Sequence, residues 1–120
     1  MGYRLEPASR TEQKAPSLLA PSSTQGITHL AGADIISEGM MMGSVQVPAN
    51  GQPIVMMADA PTTGGYPKIA NVIRADLPLL AQCEAGVSKI RFRETTVEKA
   101  QEKLRKTIRS RSGLQPDDFR

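Results

Sequence analysis

Between Gly43 and Ile73 the chain is punctuated by Pro48, Asn50-Gly51, Pro53, Pro61, Gly64-Gly65 and Pro67, with short apolar runs between them. That spacing reads as short strands joined by turns, because strands of four to eight residues fit between such breaks and helices do not. Ser44 to Val47 is a strand that stops at Pro48. Asn50-Gly51 is a turn, since both residue types tolerate positive φ. Ile54 to Ala58 is a buried strand, short and apolar between turn residues. Asp59 to Pro67 is a polar, glycine-rich loop, and Lys68 to Ile73 resumes the strand pattern.

The flanks extend this picture. Residues 1–6 read as a strand, with Tyr3 and Leu5 alternating against Arg4 and Glu6. Residues 7–26, rich in Pro, Ser, Thr and Gln, read as a long loop. Ile27 to Ser37 carries no clear period. A short helix is expected after Asp76, which caps it through its side chain, with Pro78 in the first turn. Leu79, Leu80 and Cys83 form its apolar stripe and Gly86 its end. Lys89 to Arg93 alternates strictly and predicts a half-buried strand with Ile90 and Phe92 on one face. A last helix starts at a capping box of Thr95 and Glu98. Val97, Ala100, Leu104 and Ile108 follow at helical spacing, Glu102 and Lys106 pair at i,i+4, and Gly113 and Pro116 end it. The sum is a mainly β fold with two helices. Residues 1–110 read as one domain with a loop at 7–26, and 111–120 as a frayed tail.

Apolar residues make up 39% and charged residues 22%, an ordinary globular balance. Aromatic residues are only 3%, a thin supply of large core side chains. The longest nearly apolar stretch, Pro53 to Ala60, contains Asp59 and falls far short of the ~20 residues of a spanning helix. The opening MGYRLEPASR is too charged for a secretory leader. A single cysteine excludes an internal disulfide framework. A cytoplasmic protein is expected, with no membrane partner. The net charge of +3 gathers late, at Lys99, Lys103, Arg105, Lys106, Arg109 and Arg111. Such a run is a solvated helix face, and without aromatic stacking residues it predicts no nucleic-acid partner.

The loop Thr62 to Pro67 carries the chemistry. Adjacent glycines permit unusual backbone angles and close ligand approach. Successive N–H groups there can form a concave nest for an anion. The hydroxyls of Thr62, Thr63 and Tyr66 stand beside them, with Asp59 before and Lys68 after. The set suits a carboxylate, carbamoyl or phosphoryl group; it equally makes a plain tight turn. It lacks the lysine and hydroxyl spacing of a P-loop, so it is no ATP site. His29, the only histidine, has no second ligand at metal-binding spacing, so no metal site is expected and His29 reads as a surface residue. Cys83 reads as a core thiol rather than a nucleophile. Met40, Met41, Met42, Met56 and Met57 read as gap-filling core or interface residues.

The stretch from Gly43 to Leu77, GSVQVPANGQPIVMMADAPTTGGYPKIANVIRADL, strongly resembles the signature of the biotin-dependent carboxyltransferase-like family. That family includes the C subunit of 5-oxoprolinase, allophanate hydrolase subunit 2 and part of the carboxyltransferase region of urea carboxylase. The opening MGYRLE resembles a second landmark, and Leu80-Ala81-Gln82 with Lys89-Ile90-Arg91-Phe92 fit the family's ending. The likeness covers residues 1–6 and 37–104. It implies part of a cyclophilin-like, mainly β barrel. It also implies a partner of related fold, of the kind of the B subunit of 5-oxoprolinase or subunit 1 of allophanate hydrolase. The activity implied is a share in an ATP-dependent enzyme complex that processes a small amide, opening 5-oxoproline to glutamate in the 5-oxoprolinase case. Biotin enters only on the urea carboxylase pattern. The alternatives are a carboxyltransferase part of the urea carboxylase or allophanate pathway, and a non-catalytic regulator that binds a kinase inhibitor. On the enzyme reading, Gln52, Asp59, Thr62, Thr63, Gly64, Gly65 and Tyr66 form the substrate site, with no general base assigned. Two departures stand out. Pro61 replaces the glutamine usual before the Thr-Thr-Gly-Gly-Tyr run, and the family's N-terminal half is expected to lie outside this chain.

Overall fold

The computed structural model describes residues 2–6 and 26–113. The expected loop therefore lies outside the described residues except at Gly26, and the expected tail does so from residue 114 onward. The chain divides into two compact units, Met1–Val72 and Ile73–Arg120.

Among the described residues, the first unit is all β. In chain order it holds β1 (Gly2–Arg4), β2 (Glu38–Gly39), β3 (Ser44–Gln46), β4 (Ile54–Met56), β5 (Thr63–Gly64) and β6 (Lys68–Asn71). Four of these form an open antiparallel sheet in the order β1-β4-β3-β6, and β2 pairs with β5 in a separate ribbon. An open sheet of this kind fits a portion of a β barrel. Tyr3, Val55, Val45 and Ala70 sit opposite one another in a row across the four strands, and so share a face. Val45 and Val55 are buried at the middle of that row, and Val47 and Met56 join them in the apolar core among the described residues. Ser44 and Gln46 are buried as well, so β3 is covered on both faces.

The strands at 44–46 and 54–56 follow the sequence expectation but end earlier than it proposed. Beyond Met56 the chain turns, with the Met57 carbonyl accepting from the Ala60 amide at 3.1 Å. The β3–β4 connection turns where Asn50-Gly51 predicts: Gly51 N–H donates to the Pro48 carbonyl at 2.9 Å, and Gly51 has φ of 73°. His29 is anchored to the same turn, its Nε2 lying 3.0 Å from the Pro48 carbonyl oxygen. Between β3 and β6 the register slips by one residue. Val45 faces Ala70 but Gln46 faces Lys68, so Ile69 is passed over. A bulge of this kind re-aims side chains. Lys68 Nζ donates to the Gly39 carbonyl at 2.7 Å and lies 3.5 Å from Glu38 Oε1, which ties β6 to the β2–β5 ribbon.

The second unit contains α1 (Leu77–Ala81) and α2 (Val97–Ser112). Several expectations are corrected here. Asp76 does occupy the cap position of α1, but its side chain makes no capping bond; its carbonyl accepts from Leu79 and Leu80, and its carboxylate meets Lys103 Nζ at 2.6 Å. The buried stripe is Leu77 and Leu80, whereas Leu79 is exposed. Cys83 is half-buried, with its thiol 3.5 Å from the Leu79 carbonyl. Gly86 does not end α1, which stops at Ala81; it sits with φ of 76° in a turn closed by Glu84 and Ser88. Lys89 to Arg93 is not a strand, and Ile90 and Phe92 are exposed. The alternation is present, but no strand among the described residues pairs with it, and a strand without a ladder does not form. The α2 cap is Thr96, one residue later than expected, accepting from the Lys99 amide at 3.4 Å. Glu102 and Lys106 pair at 2.7 Å as the spacing predicts. Gly113 closes α2 with φ of 64°. No helix is long and apolar enough to cross a membrane among the described residues.

Candidate functional site

The loop between β4 and β6 is more ordered than its composition predicts. Asp59 lies exposed in the turn after β4. Thr63 and Gly64 form β5, opposite Gly39 and Glu38. On either side the pairing continues: the Thr62 carbonyl accepts from the Met40 amide, and the Gly65 carbonyl from the Ile35 amide, each at 2.8 Å. The segment from Thr62 to Gly65 is thus held along one backbone edge by residues 35–40. Its threonine side chains are exposed, and Tyr66 is exposed at its end. These hydroxyls stand on a paired, positioned backbone rather than on a free loop.

The glycines do a different job from the one their sequence suggests. Neither Gly64 nor Gly65 has positive φ, so the alternating backbone of an anion nest is not formed at this pair. What Gly64 supplies is closeness. A Cβ there would lie 3.1 Å from Gln46 Oε1 and from Met40 Cγ and Sδ. Gly65 has ordinary room, with the Ile35 carbonyl oxygen and Ser37 Oγ at 3.6 and 3.7 Å from a built Cβ.

Gln52 sits in the β3–β4 connection. Its amide donates to Asn50 Oδ1 at 3.1 Å and its Oε1 accepts from Asn50 Nδ2 at 3.3 Å, so its side chain is committed to that turn. The residues from Thr62 to Tyr66 are therefore gathered on one ribbon, whereas Gln52 and Asp59 sit in separate turns. Lys68, clamped to Gly39 and Glu38, places a cation beside the ribbon. No cluster of three or more His, Cys, Asp or Glu side chains suited to a metal is present among the described residues.

Sequence reasoning missed Gln46. It is 7% exposed, and its Oε1 is out of contact with solvent and without a hydrogen-bond partner. In an alternating Val45-Gln46-Val47 pattern a glutamine reads as the solvent face. Only the cover on both faces of β3 reveals it, and no local sequence signal reports that.

Comparison with known proteins places this geometry. The family model of the carboxyltransferase domain, subdomain A and B, matches residues 1–94. The C subunit of 5-oxoprolinase from Haemophilus influenzae is 55% identical over 73 residues, covering 61% of this chain and 23% of that protein. The C subunit of 5-oxoprolinase from Escherichia coli is 52% identical over 67 residues, covering 56% of this chain and 21% of its own length. The matched region thus spans less than a quarter of each curated relative. With the family match running through both the sheet and the Thr62–Tyr66 ribbon, the chain belongs to the carboxyltransferase domain family, subdomains A and B.

Proposed function

We propose that this chain is part of one subunit of a 5-oxoprolinase-type complex, which opens 5-oxoproline to glutamate with consumption of ATP in the cytoplasm. The observation that carries the reading is the 55% identity to the C subunit of a 5-oxoprolinase. The partner is a protein of related fold, of the B subunit kind. In ring opening, water adds to the lactam carbonyl, its oxygen gains negative charge, and the C–N bond breaks as nitrogen takes a proton. Donors aimed at that oxygen lower the barrier. Thr62 and Thr63 offer exposed hydroxyls from a fixed backbone, and Tyr66 a phenol at the ribbon's end. Thr62, Thr63 and the Gly64 and Gly65 main chain bind the carboxylate or the developing oxyanion, and Tyr66 orients the substrate by hydrogen bonding. Gln52 and Asp59 brace the rim from their turns. The ribbon lacks the lysine and hydroxyl spacing of a phosphate-binding loop, and neither of its glycines has positive φ, so ATP is given to another part of the complex.

The test is ADP release by the complete complex with and without 5-oxoproline, with urea as the comparison. Release that requires 5-oxoproline and drops ~10²-fold or more in Tyr66→Phe or Thr63→Ala supports the reading. Release that responds to urea instead, or to neither, overturns it.

A further inference from the structure

We infer that Gln46 is a substrate-positioning residue of this same site, its carboxamide oxygen accepting the hydrogen bond of the substrate's lactam N–H; the inference rests on the 5-oxoprolinase-type reading. Buried polar atoms in folded proteins are almost always paired, and an orphan calls for a reason. Ser44, buried two residues away in β3, follows the rule: its hydroxyl donates to Asn71 Oδ1 at 3.0 Å and accepts from the Met41 amide at 3.4 Å. Gln46 Oε1 does not, although an apolar side chain of similar length would fill the same volume without the cost. Among the described residues nothing pairs with that oxygen.

Its position gives a reason for the carboxamide. Gln46 Oε1 lies against the bare Cα of Gly64, within the ribbon that carries Thr62, Thr63 and Tyr66. Met40 Cγ and Sδ converge on the same point. The Met40 backbone is fixed by its bond to the Thr62 carbonyl, but its side chain is unbranched and adaptable. Admitting a ligand to Oε1 requires that thioether to swing aside. The chemistry then selects the ligand group. An amide oxygen accepts and cannot donate, so it repels a carboxylate and pairs with an N–H. A five-membered lactam acid presents one N–H, while its carboxylate and carbonyl are acceptors suited to the ribbon's hydroxyls. Holding the N–H on Gln46 fixes the orientation of the ring.

The experiment compares 5-oxoproline with its lactone analogue, in which oxygen replaces the ring N–H, as triggers of ADP release by the complete complex. Wild type is set against Gln46→Met and Gln46→Leu. Taking the lactam-to-lactone ratio of kcat/KM in each protein cancels the intrinsic reactivity of the two rings. A site built to bind a donor rejects the analogue lacking it by up to ~10⁴-fold, and the apolar variants lose at least ~10-fold of that preference. Their thermal midpoint holds or rises, because an orphaned polar atom has been removed. An unchanged lactam preference in a well-folded variant overturns the inference, and a lowered midpoint in both variants overturns it in favour of a structural carboxamide. If wild type itself shows no ADP release dependent on 5-oxoproline, the underlying reading fails instead.

Discussion

A methyl group at Gly51 would meet the Ile27 carbonyl oxygen at 2.6 Å and its nitrogen at 2.9 Å, and the residue already has φ of 73°. Both the backbone angle and the space demand glycine, and main-chain atoms cannot step aside. Gly64 is crowded most closely by side-chain atoms, Gln46 Oε1 and Met40 Cγ and Sδ at 3.1 Å, and Gly65 is not crowded. Alanine is therefore expected to cost about 2–3 kcal/mol at Gly51, about 1 kcal/mol at Gly64, and no more than about 0.5 kcal/mol at Gly65. Chemical denaturation of the three variants checks the order. A Gly65→Ala cost equal to that of Gly51→Ala would refute the assignment of the constraint to the turn. The Asn50-Gly51 turn was legible because positive φ leaves a mark in residue type. The role of Gly64 was not, since it depends on a glutamine eighteen positions earlier in the chain.

Among the elements, β3, β4 and β6 were readable because turn residues bound them, although each strand is shorter than its apolar run. The β2–β5 ribbon was hidden, since two-residue strands have no period to detect. Lys89 to Arg93 misled for the opposite reason: a good pattern lacking a partner. In α2 the sequence offered two adjacent threonines, and the choice between them rests on backbone angle. Thr96, extended at φ −94° and ψ 162°, accepts from Lys99. Thr96→Ala is expected to cost about 1 kcal/mol of helix stability and Thr95→Ala a few tenths or less, read as ellipticity at 222 nm. Acid tests the same element. The carboxyl of Glu98 is held below its ordinary range by its own backbone amide and then by the Thr96 hydroxyl; that of Glu102 is held down by Lys106. A carboxyl with a lowered folded pKa stabilises the helix above its unfolded value of 4.5, and that contribution disappears as pH falls through the lowered value. Helicity of α2 is thus expected to fall below pH ~4. The Glu102 part should shrink in salt, as both partners are exposed. Helicity that rises on acidification would contradict this.

At the scale of the molecule, the buried apolar residues among those described are few and none is aromatic: Val45, Val47, Val55 and Met56 in the first unit, and Ala75, Leu77 and Leu80 in the second. A domain with so little buried apolar surface has a thin margin over its conformational entropy. A single truncation at the centre of the sheet should then be decisive. Val55 is fully buried and pairs with both Tyr3 and Val45, so it joins β1 and β3 within the row that crosses the sheet. Val55→Ala removes two methylene equivalents and leaves a gap, a cost of about 2 kcal/mol. Val97, 68% exposed at the start of α2, offers the contrast. Val97→Ala loses little burial and gains helix propensity, so it should be neutral or slightly stabilising. Amide exchange separates the two cases. In Val55→Ala the amides of β3 and β4 should exchange at least ~10-fold faster, because ~1.4 kcal/mol is a tenfold change in the opening equilibrium. In Val97→Ala they should not change. Equal protection of β3 and β4 in the two variants would mean that Val55 does not hold the sheet together, and that its stability comes from the backbone ladder instead.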